Sequence, residues 1–223
     1  MKKIFAMVAV AAGLLFAGNT ANAQLGINVG YAPQTYTTTY TNNVTLNDTA
    51  KMNGFFAGVN YNTNITGDLN VSVGLQVRYN TKTYENGASI GGALLSTNQK
   101  LTRTQMVLDV PILFNYGLSL SNDLKLSVFL GPTVSYALSG KDKLEGTNSI
   151  VGFTFSNGGE SNWYDENEGN RSALDISGTA GLCLTFSSYR IYGGYNMGLL
   201  NTNKNDNTTT KGSNLFIGLG LNL

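Results

Sequence analysis

The stretch MVLDVPILFNYGLSLSNDLKLSVFLGPTVSYAL, from Met106 to Leu138, decides the fold of this chain. It contains two long runs in which apolar residues recur at every second position, and a short polar turn joins them. One face carries Met106, Leu108, Val110, Ile112, Phe114 and Tyr116, followed by Leu126, Val128, Leu130, Pro132, Val134, Tyr136 and Leu138. A period of two is typical of β-strands, and strands of this length are uncommon in soluble sheets. The stretch therefore predicts a long antiparallel hairpin whose apolar face meets either a protein core or lipid.

The same alternation recurs in six further stretches, at 25–31, 54–61, 70–80, 173–186, 189–198 and 214–223. The connections alternate strictly between short turns and long polar segments, and the long ones cover 33–51, 82–100, 139–170 and 201–212. This asymmetry is typical of outer-membrane barrels, whose long loops are extracellular, whereas a secreted β-sandwich has no reason for it. We predict an all-β fold, an eight-stranded antiparallel up-and-down transmembrane β-barrel with four long extracellular loops.

Composition agrees with a membrane barrel and narrows the range of functions. Charged residues make up only 12% of the 223 residues, and Lys+Arg (14) nearly balance Asp+Glu (13), so no basic surface for nucleic acid is indicated. The chain has no histidine, and its one cysteine, Cys183, is best explained as a small residue packed in the sheet. General-base catalysis most often uses histidine, and transition-metal sites use histidine and paired cysteines. We therefore expect no enzyme activity, no cofactor and no metal site.

The first residues have the pattern of a secretory signal. Met1-Lys2-Lys3 is positively charged, Ile4 to Phe16 is apolar, and Ala21-Asn22-Ala23 is a small-residue cleavage site. No cysteine follows this site, which argues against a lipoprotein. The prediction is a signal peptide at 1–23 and an outer-membrane β-barrel domain at 24–223.

The face opposite the apolar residues is polar and carries charges. In a small barrel this face points into a filled lumen, where buried charges must find partners. The predicted lumenal charge network consists of Arg78, Arg103, Asp109, Lys125, Asp175 and Arg190. Such a network would plug the lumen, so free diffusion through it is not expected.

Aromatic residues occupy strand ends, where the interfacial girdles of a barrel belong. Tyr31, Tyr79 and Tyr136 are predicted near the outer ends, and Tyr61, Tyr116, Phe186 and Tyr189 near the inner ends. Pro111 and Pro132 lie inside strands with two neighbours, where a missing N–H removes a ladder bond. Bulges or locally wide pairs are expected to accommodate them.

The same prolines carry a resemblance to a known family. The relevant residues are Leu108-Asp109-Val110-Pro111-Ile112-Leu113, then Gly131-Pro132 with Tyr136, then Arg171, Asp175, Gly178 and Gly181, and finally Tyr195 and Gly198-Leu199. This pattern resembles the PorT-like outer-membrane β-barrel family, and the eight-strand plan is similar to the OmpX and OmpA barrels. The resemblance implies a barrel in the outer membrane. It also implies a role in protein secretion for some members.

Three kinds of function remain open. The long segments, rich in Tyr, Thr and Asn and with Trp163 in the longest, suit an extracellular surface that displays contacts for adhesion. The same segments would equally suit mere shielding of the surface. An accessory role in secretion and a narrow pore are the alternatives. The expected partners are outer-membrane lipid, the barrel-assembly machinery and an extracellular or secretion-system protein.

The acidic residues Asp165, Glu166 and Glu168 lack the spacing of a calcium loop and suit solvated loop charge.

Overall fold

The computed structural model describes residues 24–41, 45–90, 95–150, 153–165, 170–205 and 207–223, so the predicted signal peptide lies outside the described residues. The strands are β1 (Gln24–Tyr31), β2 (Gln34–Thr41), β3 (Thr45–Thr66), β4 (Leu69–Ile90), β5 (Leu95–Ser119), β6 (Leu124–Ile150), β7 (Phe153–Asn162), β8 (Leu174–Phe186), β9 (Tyr189–Gly198) and β10 (Thr208–Asn222). Within these ranges, no helix is long and apolar enough to cross a membrane.

The strands form one closed antiparallel sheet. β1 pairs with β3 on one side and with β10 on the other, and this second pairing closes the barrel. β1 and β2 both lie between β3 and β10, so they share one position in the wall, interrupted at Ala32 and Pro33. β7 and β8 both pair with β6 in the same way, with 163–173 between them. The ten strands therefore fill eight wall positions, which confirms the predicted eight-stranded barrel.

The two faces of the wall differ as the alternation predicts. In β10, Leu215, Ile217 and Leu219 are 66%, 58% and 57% exposed, whereas Asn214, on the opposite face, is 5% exposed. The other strands repeat this pattern, with large apolar side chains outside and polar ones inside. Lipid accepts an apolar exterior, and closure leaves no unpaired backbone edge within it. The chain is therefore a transmembrane barrel rather than a soluble sandwich.

The barrel has two unlike ends. The short turns at Gly67-Asp68, at 120–123 and at 187–188 lie at one end, which we call the turn end. The four long segments lie at the other, which we call the hairpin end. Much of these segments is strand rather than loop: β2 pairs with the first part of β3, and the upper parts of β4, β5, β6 and β7 pair in that order. We call this four-stranded extension, at 82–90, 95–104, 140–150 and 153–162, the hairpin sheet.

The prolines interrupt the hydrogen-bond ladder without shifting it. Around Pro111, β4 and β5 pair at Val73–Ile112 and again at Gln76–Asp109, in one register, with the intervening pairs missing. The β5–β6 ladder opens in the same way beside Pro132. Each proline keeps its partners on its other side. Of the two predicted accommodations, the structure uses locally open pairs at both prolines.

Candidate functional site

The centre of the lumen is built from four cross-strand pairs of an aromatic residue and a glycine. The pairs are Phe56–Gly30, Phe129–Gly181, Tyr192–Gly218 and Phe216–Gly194. A Cβ atom on any of these glycines would overlap the ring of its partner. Each ring therefore lies flat over the backbone of the next strand, in the manner known as aromatic rescue of glycine.

These four rings form a continuous cluster, which we call the aromatic plug. Tyr192 lies 6.4 Å from Phe56 and 6.3 Å from Phe216 between ring centroids, and Phe216 lies 6.2 Å from Phe129. A cavity of about 90 Å³ lies beside the plug, which is room for a few water molecules. The aromatic plug thus fills the middle of the lumen.

A buried ion pair lies in the lumen on the hairpin-end side of the plug. Arg78 Nε donates to Asp109 Oδ2 at 2.9 Å and its Nη2 donates to Oδ1 at 3.2 Å, and both residues are buried. Asp109 also accepts from Ser135 Oγ at 2.6 Å, and Arg78 Nη1 donates to Gln34 Oε1. This bidentate arrangement satisfies both charges, as burial requires.

The other predicted lumenal charges do not join this pair in one network. Arg103 belongs to the hairpin sheet and pairs with Asp142 at 3.3 Å. Asp175 lies near Arg78 on the hairpin-end side, but its Oδ1 atom has no hydrogen-bond partner. Lys125 and Arg190 line a cavity at the turn end, and Arg190 also lines the central cavity that Arg78 and Asp109 border. The six residues therefore divide into three groups at different heights, because Arg103 lies six residues from Asp109 along β5, and Lys125 lies ten residues along β6 from Ser135, the residue paired with Asp109.

A set of side chains closes the lumen at the hairpin end, and we call it the lid. Gln105 Oε1 accepts from Tyr36 Oη at 2.8 Å, and its Nε2 donates to Tyr164 Oη at 2.5 Å. The guanidinium of Arg171 lies between two rings, 4.7 Å from that of Tyr36 and 4.6 Å from that of Trp163. Burial raises the pKa of Tyr164, so its hydroxyl stays neutral. Trp163, predicted as a surface contact, is half-buried against Arg171.

The predicted girdle residues lie on the lipid-facing side of the wall. Tyr31, Tyr79, Tyr116, Phe186 and Tyr189 are exposed, whereas Tyr61 and Tyr136 are half-buried. Tyr31 packs against Phe55 with the ring centroids 5.3 Å apart. Their role as interfacial girdles stays a prediction.

The sequence contains a pattern that could have predicted the aromatic plug, but the charged residues of the polar face drew the prediction toward a charge network instead. Phe56, Phe129, Tyr192 and Phe216 are single bulky residues on a face otherwise made of glycine and small polar residues. The lid had no such signal, because it depends on how 163–165 and 170–173 pack onto the end of the barrel. In the described part of the chain, no group of three metal-ligating side chains occurs. Asp165 is exposed there, and Glu166 and Glu168 lie outside the described residues.

Closed strand pairing, an apolar exterior and a filled polar interior define the class of integral outer-membrane β-barrel proteins. Residues 16–204 match the family model described as outer membrane protein beta-barrel domain. The chain belongs to this family, and its location is the bacterial outer membrane.

Several solved structures are similar to the chain, at low identity. Ail, the attachment invasion locus protein of Yersinia pestis, solved with the heparin analogue sucrose octasulfate, is 17% identical with a TM-score of 0.36, covering 91% of this chain and 99% of Ail. Neisserial surface protein A is 12% identical with a TM-score of 0.33, covering 87% of this chain and 96% of that one. The outer membrane protease OmpT of Escherichia coli is 10% identical with a TM-score of 0.38, covering 92% and 98%. No curated protein matches the chain.

Proposed function

We propose that this protein is a non-enzymatic scaffold that anchors the hairpin sheet in the outer membrane and displays it outside the cell for surface interaction or adhesion. The observation that carries the proposal is the continuation of four paired strands beyond the lipid-facing part of the barrel. Polar strands that stay paired outside the membrane present a fixed surface, whereas flexible loops lose entropy on binding.

The outward face of the hairpin sheet is held by charge pairs between and along its strands. Glu85 pairs with Lys100 at 3.5 Å, and Lys143 with Glu145 at 2.7 Å. The hydrogen bond from Lys143 and its charge lower the pKa of Glu145. Each exposed pair contributes little by itself, but together the alternating charges disfavour other registers of the sheet.

The opposite face and the free edge offer the contacts. Leu144 and Phe155 are 45% and 59% exposed, and Tyr84 has the cations of Lys82 and Arg103 near its ring at 5.8 Å each. Among the described residues, β7 pairs with β6 alone, so its other edge presents free backbone donors and acceptors. An apolar patch beside an open edge favours an extended protein segment as the partner.

The filled lumen supports a scaffold over a pore. The cavities along the lumen are small: about 90 Å³ beside the aromatic plug, about 30 Å³ under the lid and about 170 Å³ at the turn end. Eight strands enclose an interior just wide enough for side chains. Steady, large single-channel steps in planar bilayers would contradict this part of the proposal.

The test is a shortened hairpin. Asp142 and Ser161 are directly paired, so residues 143–160 can be replaced by a two-residue turn that leaves the barrel intact. We expect cells that display the variant to lose attachment to surfaces that the unaltered protein binds. The matched control replaces 38–48 by the same turn between the paired residues Thr37 and Thr49. Undiminished attachment without 143–160, with heat-modifiable gel migration showing a folded barrel, would refute the proposal, as would equal losses in both variants.

A second proposal is an accessory role in protein secretion. It is supported by the resemblance of the Pro111 and Gly131-Pro132 segments to the PorT-like family, which is an analogy at the level of fold. A deletion strain that exports its secreted proteins at the normal rate would exclude it.

A further inference from the structure

The charges of the lumen are distributed unevenly between its two ends. On the hairpin-end side of the plug, the cations Arg78 and Arg171 are accompanied by the carboxylates Asp109 and Asp175. At the turn end, a cavity of about 170 Å³ is lined by Lys125, Arg190 and side chains that are almost all neutral amides and hydroxyls. We call this cavity the turn-end vestibule. No carboxylate side chain lines it, and Asp109, which lines the adjoining central cavity together with Arg190, is already paired with Arg78.

Lys125 and Arg190 lie in one cross-strand row. Lys125 of β6 is paired with Thr185 of β8, and Thr185 is paired with Arg190 of β9. From this row the two side chains lean apart: Lys125 lies over Gly117 of β5, whereas Arg190 lies over Gly220 of β10 and Gly26 of β1, so the two cations face the vestibule from opposite walls. Among the described residues, neither cation is within ion-pair distance of a carboxylate. Asp68 and Asp123, at the short turns of this end, are exposed and do not line the vestibule.

The backbone provides a seat for the Arg190 side chain. A Cβ atom on Gly26 would lie 2.8 Å from Nη2 of Arg190, and one on Gly220 would lie 2.9 Å from the same atom and 3.0 Å from Nε. Nη2 donates to Asn60 Oδ1 at 2.6 Å, and the same oxygen accepts from Asn28 Nδ2 at 3.0 Å. Two glycines and an amide oxygen thus hold the guanidinium in a defined place.

Two buried donors at this seat have no partner. Arg190 Nε and Asn60 Nδ2 are both inaccessible to bulk water, and neither donates a hydrogen bond within the protein. The Asn60 amide cannot satisfy this need by flipping, because its oxygen already accepts from Arg190 and Asn28. Burial of an unpaired donor or cation is costly, and an anionic oxygen acceptor removes that cost.

We propose that the turn-end vestibule is a binding site for a small oxyanion of the phosphate or sulfate class. Arg190, which lines both the vestibule and the central cavity beside the plug, supplies the charged donor, and Asn60 supplies a second donor beside it from the central cavity. Lys125 supplies a second positive charge from the opposite wall of the vestibule. The aromatic plug, the Arg78–Asp109 pair and the lid close the far side, so the anion enters and leaves through the turn end and does not cross the membrane. The proposal is independent of the hairpin sheet, which lies at the opposite end of the barrel.

Titration calorimetry with inorganic phosphate tests the site, with the full-length protein folded in uncharged maltoside micelles and in phosphate-free buffer. We expect one phosphate per barrel. Lys125→Gln should weaken binding about tenfold, as expected when one close countercharge is lost. Lys100→Gln removes the same charge from the hairpin sheet and should leave the affinity unchanged.

A second variant, Asn60→Asp, keeps the proposal testable even if Lys125→Gln fails to fold. The carboxylate would keep both hydrogen bonds that Asn60 Oδ1 now accepts and would pair with Arg190 internally. We expect this variant to unfold at a higher temperature than the unaltered protein and to bind no phosphate. Undetectable phosphate binding by the unaltered protein, or binding that persists in both Asn60→Asp and Lys125→Gln, would overturn the proposal.

A lipid headgroup has the same phosphate chemistry, so a second arm adds phosphatidylglycerol to the micelles in place of free phosphate. Stabilisation by the lipid that Asn60→Asp abolishes would identify the headgroup as the source of the oxyanion. Stabilisation by free phosphate alone would identify a soluble anion. If neither the lipid nor free phosphate stabilises the protein, the proposal is overturned, as it is if calorimetry detects no phosphate binding.

Discussion

Removal of Asp109 should destabilise the barrel far more than removal of the whole Arg78–Asp109 pair. Arg78 and Asp109 are 8% and 5% exposed, and Arg78 is left with Gln34 alone when the carboxylate is gone. An uncompensated buried charge costs about 3–5 kcal/mol, whereas an apolar pair of similar volume is often close to neutral. Asp109→Ala should therefore lower the free energy of unfolding by about 3–5 kcal/mol, and Arg78→Met with Asp109→Leu by less than about 1.5 kcal/mol.

The measurement is reversible urea unfolding of the barrel in lipid vesicles, followed by circular dichroism and heat-modifiable migration. The half-exposed pair of Arg103 and Asp142 serves as the control, and Asp142→Ala should cost at most about 1 kcal/mol. Equal costs for Asp109→Ala and Asp142→Ala would show that water reaches the lumenal pair. In that case the lumen would be open to water at the level of Arg78 and Asp109.

Three further outcomes follow from the contacts described above. Gly181→Val should lower the free energy of unfolding by about 1–3 kcal/mol, because the new side chain overlaps a ring of the aromatic plug. Gly178→Val places the same side chain in open space on the same strand and should leave the free energy of unfolding unchanged. Urea unfolding of both variants measures the difference. Arg171→Gln should open the lid by removing its contacts with two rings, and acrylamide quenching of Trp163, the single tryptophan, should increase; unchanged quenching would contradict the lid. The hydrogen bond from Lys141 and the charge of Lys141 lower the pKa of Glu160. The ion pair therefore stabilises the hairpin sheet at pH values above the ordinary pKa of glutamate, and this stabilisation is lost as the pH falls through the lowered pKa. Amide exchange in β7, corrected for intrinsic rates, should rise between about pH 5 and about pH 3, and a Glu160→Gln variant that shows the same rise would refute this.

The wall of the barrel could be predicted from the sequence because its two environments impose opposite demands on alternate residues. Leu215, Ile217 and Leu219 must suit lipid while Asn214 must suit the lumen, and this contrast is visible in a single strand. The pairing of Arg78 with Asp109 also follows, since they lie on neighbouring strands and on the polar face.

The hairpin sheet could not be predicted in the same way. Both of its faces meet water, so residues such as Lys100, Leu101 and Thr102 show no period of two even though their backbones stay paired. The lid depends on 163–165 and 170–173 packing over the lumen, which places Arg171 between the rings of Tyr36 and Trp163. Contacts of that kind arise from tertiary structure, and local sequence patterns carry no information about them.

The aromatic–glycine pairs have a consequence for how the barrel assembles. If β9 and β10 paired one residue out of register, every side chain of one strand would move to the wrong face of the wall, which the contrast between lipid and lumen prevents. An error of two residues would leave each side chain on its proper face. The reciprocal pairs Phe216–Gly194 and Tyr192–Gly218 exclude this second error. A slip of two in either direction sets Phe216 opposite Tyr192 or Asn196, where a ring meets a large side chain instead of bare backbone. These glycines thus fix the register of β9 against β10, next to the position where β10 pairs with β1 to close the barrel.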